Sequence, residues 1–155
     1  MHSNKNNRIV MWLLIALSLF IFMITVPKTS ITSIFLTGGG NPKGEVWVTK
    51  IEIDGQKENL KHFKVAGNWH YIEGSIVYTP VDGASEESNT LKLDFKNAES
   101  VKLTFLKHNW SGSVEISDGD RETQLNLWTQ SEDSVDYDVK TVHPFEIEPV
   151  SLCLS

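Results

Sequence analysis

One cysteine, Cys153, stands in 155 residues. A lone thiol makes no internal disulfide and no thiolate metal cluster, so neither a disulfide-stapled scaffold nor a zinc ribbon is open to this chain. Acid is missing from the first 44 residues, where Lys5, Arg8, Lys28 and Lys43 are the only charged side chains. All 20 Asp and Glu fall at or after Glu45, against ten Lys and Arg, which leaves that part at −10. Such a body lacks the basic stripe that a phosphate backbone needs, and nucleic acid is excluded as a partner. Common catalytic signatures are missing too: there is no Gly-x-Ser-x-Gly elbow, no phosphate loop and no cysteine nucleophile in a recognisable setting. His2, His62, His70, His108 and His143 never stand at a metal-ligand spacing from one another. We therefore expect no catalytic residue, no metal and no cofactor.

A long hydrophobic run is present once. Residues 9–26, from Ile9 to Val26, hold no charge, glycine or proline. As a helix rising ~1.5 Å per residue the run covers ~27 Å, close to the hydrocarbon thickness of a bilayer. The expectation is a transmembrane signal-anchor helix over 9–26, behind a short polar tail at 1–8. A cleaved secretory signal is the rival reading. It is disfavoured by the length of the run and by Thr25-Val26-Pro27-Lys28, which is a poor cleavage sequence. Basic residues flank both ends, so orientation rests on the amino terminus and on the acidic body that follows. The body is expected outside the cytoplasm, on a single-pass membrane protein. Residues 27–44, rich in Ser, Thr and Gly and containing Gly38-Gly39-Gly40-Asn41-Pro42, read as a flexible spacer.

From Glu45 the hydrophobic period is two. Leu91-Lys92-Leu93-Asp94-Phe95, Val101-Lys102-Leu103-Thr104-Phe105 and Val114-Glu115-Ile116 each offer one apolar and one polar face, as half-buried antiparallel strands do. Similar alternation runs through Val46 to Ile53, His62 to Val65, Trp69 to Thr79, Gln124 to Trp128, Val135 to Lys140 and Phe145 to Glu148. Asp54-Gly55 and Asp118-Gly119 are turn pairs, the second flanked by alternating runs as a hairpin requires. Eight or nine strands with no helix define the fold class: an all-β, antiparallel β-sandwich over 45–155, jelly-roll or immunoglobulin-like, preceded by one transmembrane helix. The acids around Asp118 and from Glu132 to Asp138 read as a tight turn and a solvated strand face, because neither has calcium-loop spacing.

Tryptophan is the most informative side chain in the body. Trp47 lies on the face opposite Val46 and Val48, and Trp128 shares parity with the polar Gln124 and Asn126. Trp69 and Trp110 each follow an asparagine in a turn, in Asn68-Trp69-His70-Tyr71 and His108-Asn109-Trp110-Ser111. A flat ring beside imidazole, amide and hydroxyl groups is the arrangement that stacks on a sugar's apolar face while its neighbours bond the hydroxyls. Candidate ligand-binding residues are therefore Trp69, His70, Tyr71, His108, Asn109 and Trp110. The other reading of both tryptophans is that they plug the open ends of the sandwich.

Leu103 to Ile116, together with Asn126-Leu127-Trp128, resembles segments of small β-sandwich accessory domains associated with bacterial membrane proteins of envelope polysaccharide assembly. The resemblance covers about a third of the chain and implies a glycan-contacting or accessory module, with no catalytic residue carried over. The expected function is a membrane-anchored, extracytoplasmic, non-catalytic binding module for cell-envelope polysaccharide. The alternative is a protein-interaction subunit that docks on a membrane protein partner, and a hydrolase stands third.

Overall fold

The computed structural model describes residues 11–18, 29–40, 42–119 and 121–139. Residues 11–18 form a helix, α1. Among the described residues the body has ten strands: β1 (Ile31–Gly38), β2 (Val46–Ile53), β3 (Gln56–Lys57), β4 (Trp69–Ile72), β5 (Ser75–Tyr78), β6 (Thr90–Lys96), β7 (Val101–Lys107), β8 (Ser113–Asp118), β9 (Arg121–Asn126) and β10 (Asp133–Val139). One short helix, α2 (Glu86–Asn89), lies between β5 and β6. All pairings between these strands are antiparallel. Two sheets result, β6-β1-β8-β9 and β10-β7-β2-β5-β4, with β3 hung on β2. The all-β sandwich expected from the alternation is the fold.

Alternation decides which side chains meet between the sheets. Ile34, Leu36, Leu91, Leu93, Phe95 and Ile116 line the inner face of the first sheet, and Val46, Val48, Ile51, Ile76, Leu103 and Phe105 that of the second. Each is at most 2% exposed, and a fully buried side chain of this kind contributes about 1.5–3 kcal/mol. The turn chemistry is as local as expected. Asp54 and Gly55 both have positive φ (51° and 75°), as do Glu73 and Gly74 (48° and 83°), and each pair closes a two-residue hairpin of the mirror-image type that matches strand twist.

Four links join one sheet to the other, and each connects strands at equivalent positions: β1 to β2, β5 to β6, β7 to β8 and β9 to β10. All four lie at the same end. The pairs Thr37↔Thr90, Gly38↔Val114 and Ser113↔Asn126 close the first sheet there, and Val46↔Tyr78, Trp47↔Leu106 and Lys107↔Asp133 close the second. The molecule is in effect one four-stranded sheet folded over a line. Backbone bonding continues through the fold. Glu45 bridges Ser111 and His108 bridges Trp128, both in parallel sense, and Gly112 N–H donates to Glu45 O at 2.9 Å.

Three expectations change here. The spacer reading of 27–44 gives way to β1, an interior strand with neighbours on both sides. Its glycines supply closeness and not slack: a Cβ at Gly38 would run into the Tyr78 ring, and Gly39 takes a φ of 93° that side chains rarely adopt. The run around Phe63 and Val65 is loop, entered by a 3₁₀ turn at Leu60–His62, and its apolar residues cover the core from the side, Phe63 meeting Phe95 at 5.6 Å. Where a body with no helix was expected, one helical turn stands before Thr90, capped by Ser85, whose hydroxyl accepts from Ser88 N–H. No helix among the described residues is long and apolar enough to cross a membrane. The expected span 9–26 falls outside them except for 11–18, and the strand expected at Phe145 to Glu148 lies outside them altogether.

Candidate functional site

The folding line carries the aromatic surface. β2 alternates Val46 and Val48 inward with Trp47 outward, and by the same rule Leu106 of β7 and Val77 of β5 flank Trp47 on the outer face. Two residues beyond Leu106, His108 leaves the strand on that same face and bridges Trp128. In a parallel bridge the two side chains point the same way, so Trp128 rises beside His108. Glu45 and Ser111 form the other parallel bridge. Trp47, His108, Trp110 and Trp128 thus gather from three separate chain crossings onto one side of the fold.

Their contacts are specific. His108 and Trp110 have ring centroids 4.1 Å apart with planes inclined by 32°, and Trp47 stands edge-on to His108 at 6.3 Å and 78°. Trp47 Nε1 donates to Glu45 Oε2 at 2.7 Å. His108 Nδ1 accepts from the Trp110 N–H at 3.3 Å and lies 3.0 Å from Ser111 Oγ. A ring nitrogen that accepts carries no proton, so the neutral imidazole holds its hydrogen on Nε2. That atom is buried and has no hydrogen-bond partner among the described residues. Burial pushes the His108 pKa below its ordinary value, against the raising pull of Glu45 and Glu132. The imidazole is therefore a neutral floor, 3% exposed, beneath an indole that is 60% exposed.

The six expected ligand residues divide. His108 and Trp110 stack, and Asn109 is exposed in the same turn. Trp69 does not join them. It is 1% exposed, packs on Tyr78 at 5.4 Å and donates its Nε1 hydrogen to Asn89 O at 2.9 Å, so it is a core residue with no free face. Asn68 explains why: its Nδ2 donates to Asn89 Oδ1 at 2.8 Å and its N–H to Ser88 O at 2.8 Å, a strap that holds the start of β4 against α2 and turns the indole inward. His70 and Tyr71 are exposed on β4, three strands from β7, which is ~14 Å at ~4.8 Å per strand. Tyr71 instead lines a shallow recess of about 300 Å³ with Asn59, Leu60, Lys61, Glu73 and Gly74.

Trp47, Trp128, Glu45, Ser111 and Glu132 join the site without having been expected there. The parity of Trp47 against Val46 and Val48, and of Trp128 with Gln124 and Asn126, marks both as outward-facing from sequence alone. What sequence does not carry is that two crossings far apart in the chain bring them to one histidine. Among the described residues no group of His, Cys, Asp and Glu is placed to hold a metal ion. No protein-family model, curated protein or solved structure matches this chain.

Proposed function

We propose that this protein is a membrane-anchored, non-catalytic binding module that contacts cell-envelope glycan through Trp110 and its neighbours. The carrying observation is the exposed indole of Trp110, held by the His108 ring beneath it and flanked by Trp47 and Trp128. An aromatic ring fixed on one face and open on the other is a stacking platform. It binds without first having to be ordered, which removes part of the entropy cost of association. Support for the anchor comes from α1, where Met11, Trp12, Leu13, Leu14 and Leu17 are all more than half exposed. Side chains of that kind need an apolar surrounding such as lipid. Of the two sandwich types, crossings between equivalent positions favour a jelly-roll-like over an immunoglobulin-like relationship.

Calorimetric titration of envelope polysaccharide fragments into the full chain tests the reading. Binding by the parent and a loss of tenfold or more in Trp110→Ala is the expected result. Equal affinity of parent and variant would sink it.

A protein-docking reading is favoured by a different feature, the edge strand β4. Its outer side has no strand neighbour among the described residues, and it exposes Tyr71 and Ile72 at 38% and 37%. Edge strands of this sort accept a partner strand. Crosslinks from β4 to one membrane protein, with no glycan bound by the full chain, would favour it over the first.

A further inference from the structure

The charges around the aromatic patch narrow the glycan chemistry it takes, an inference that rests on the glycan reading above. The two charged groups that act on His108 are both acids, Glu45 and Glu132; His70 shares the outer face of the sheet two strands from Trp47, and Lys50 and Lys102 lie farther along it, held by Glu52 and by Asp136 and Asp138. Glu45 leads into β2 and is joined to the patch by backbone and side chain alike, its N–H donating to Trp110 O at 3.2 Å and its carboxylate accepting from Trp47. Glu132 lies in the β9–β10 crossing, four residues after Trp128, and is exposed. Both carboxylates act on the His108 ring through their charge. The neighbouring cations are directed elsewhere. Lys107 points to the other side of β7 from Leu106 and His108 and is paired in register with Asp133, and Lys43 reaches Asp82 at 3.9 Å.

Three indoles with negative π-faces and two carboxylates form a surface complementary to positive charge. A uronate or phosphate would meet like charge there. A neutral sugar would stack and donate hydroxyls to the carboxylates, but would gain nothing from their net charge. A protonated amine on a sugar ring uses both, the ring lying on the indole and the ammonium gaining from the carboxylates and the π-face together.

We propose that the patch binds glycans bearing free amino groups, the sugar ring stacked on the exposed face of Trp110 and its ammonium directed toward Glu45 and Glu132. The two carboxylates are the specificity determinants and the indoles the general platform.

The test compares a β-1,4-linked glucosamine tetramer with its fully N-acetylated counterpart, titrated calorimetrically into the full chain in detergent micelles with the amines protonated. Roughly tenfold tighter binding of the amino form is expected, the size of a cation–π contact assisted by carboxylates. That preference should fade as salt is raised. It should also vanish in Glu45→Gln and Glu132→Gln. Glu132 is exposed, and glutamine at 45 keeps an oxygen for the Trp47 indole, so both variants retain the fold. Equal affinity for the two tetramers, or a preference for the acetylated one, overturns the amine inference and leaves the glycan reading standing. Binding of neither overturns both.

Discussion

The Nδ1 atom of His108 accepts the backbone N–H of Trp110, two residues on, while the two rings stack at 4.1 Å. One side chain thus sets both the backbone and the ring of the residue that forms the exposed platform.

That relationship is sensitive to acid. The folded-state pKa of His108 is depressed, so the unfolded chain binds more protons than the folded one once the pH drops below the unfolded value. Stability supplied by the neutral imidazole is complete above about pH 6.5 and declines as the pH falls from there toward the folded value. Protonation also removes the Nδ1 lone pair that Trp110 uses. Thermal melts between pH 7 and pH 5 should show a loss in the parent that His108→Gln lacks, and parallel curves for the two would refute the assignment.

Trp110→Ala should leave stability within about 1 kcal/mol of the parent, since the indole is largely in solvent. Trp69→Ala should cost about 3–5 kcal/mol, because it empties a buried site and leaves Asn89 O without its donor. Urea denaturation of the two variants separates platform from plug. Similar costs for both would contradict the division drawn between them.

Gly44 and Gly112 meet backbone to backbone where the first and third crossings pass, and a Cβ on either would overlap the other's main chain. Alanine at Gly112 should cost about 1–3 kcal/mol by overpacking. Trp110 lies two residues away, so its fluorescence emission should shift as well. An unperturbed melt and spectrum would mean that the crossings can separate without consequence.

At the opposite end of the sandwich, Asp118 is buried with 0% of its side chain exposed and takes two hydrogen bonds from Arg121. The guanidinium also donates to Asp138 O at 2.9 Å and lies 5.0 Å over the Tyr137 ring. Arg121→Ala removes the guanidinium's two hydrogen bonds to the buried Asp118 carboxylate and should destabilise by about 1–3 kcal/mol. Replacing both partners with leucine should recover much of that loss in chemical denaturation. A double variant as unstable as the single one would show that the pair is needed as charge.

Period-two alternation made the strands legible, because a sandwich buries one face of every strand and the burial is written at every second residue. Leu91, Leu93 and Phe95 face inward and Lys92 and Asp94 outward, as their sequence reads. β1 was less legible. Its inward positions are Thr32, Ile34 and Leu36, but threonine and serine among them, three glycines behind and the long apolar run in front together resemble a linker. The β-branched Ile31, Thr32, Ile34 and Thr37 were the available strand signal. Of the site, the Lys107 to Gly112 turn was legible as an aromatic placed outside the strands. Trp69 looked equivalent because both tryptophans follow an asparagine. Their fates differ through long-range bonds, Asn68 and Trp69 to Asn89 in one case and Glu45 N–H to Trp110 O between two chain crossings in the other, which local pattern does not encode.

The place of β1 bears on how the platform is displayed. β1 starts at Ile31, near the Asp118–Arg121 end, and runs eight residues, ~27 Å, to the folding line where the tryptophans gather. On that geometry the sandwich is a stiff post: in the proposed reading with an anchor ahead of β1, its root lies at the Asp118–Arg121 end and Trp110 stands at the far end.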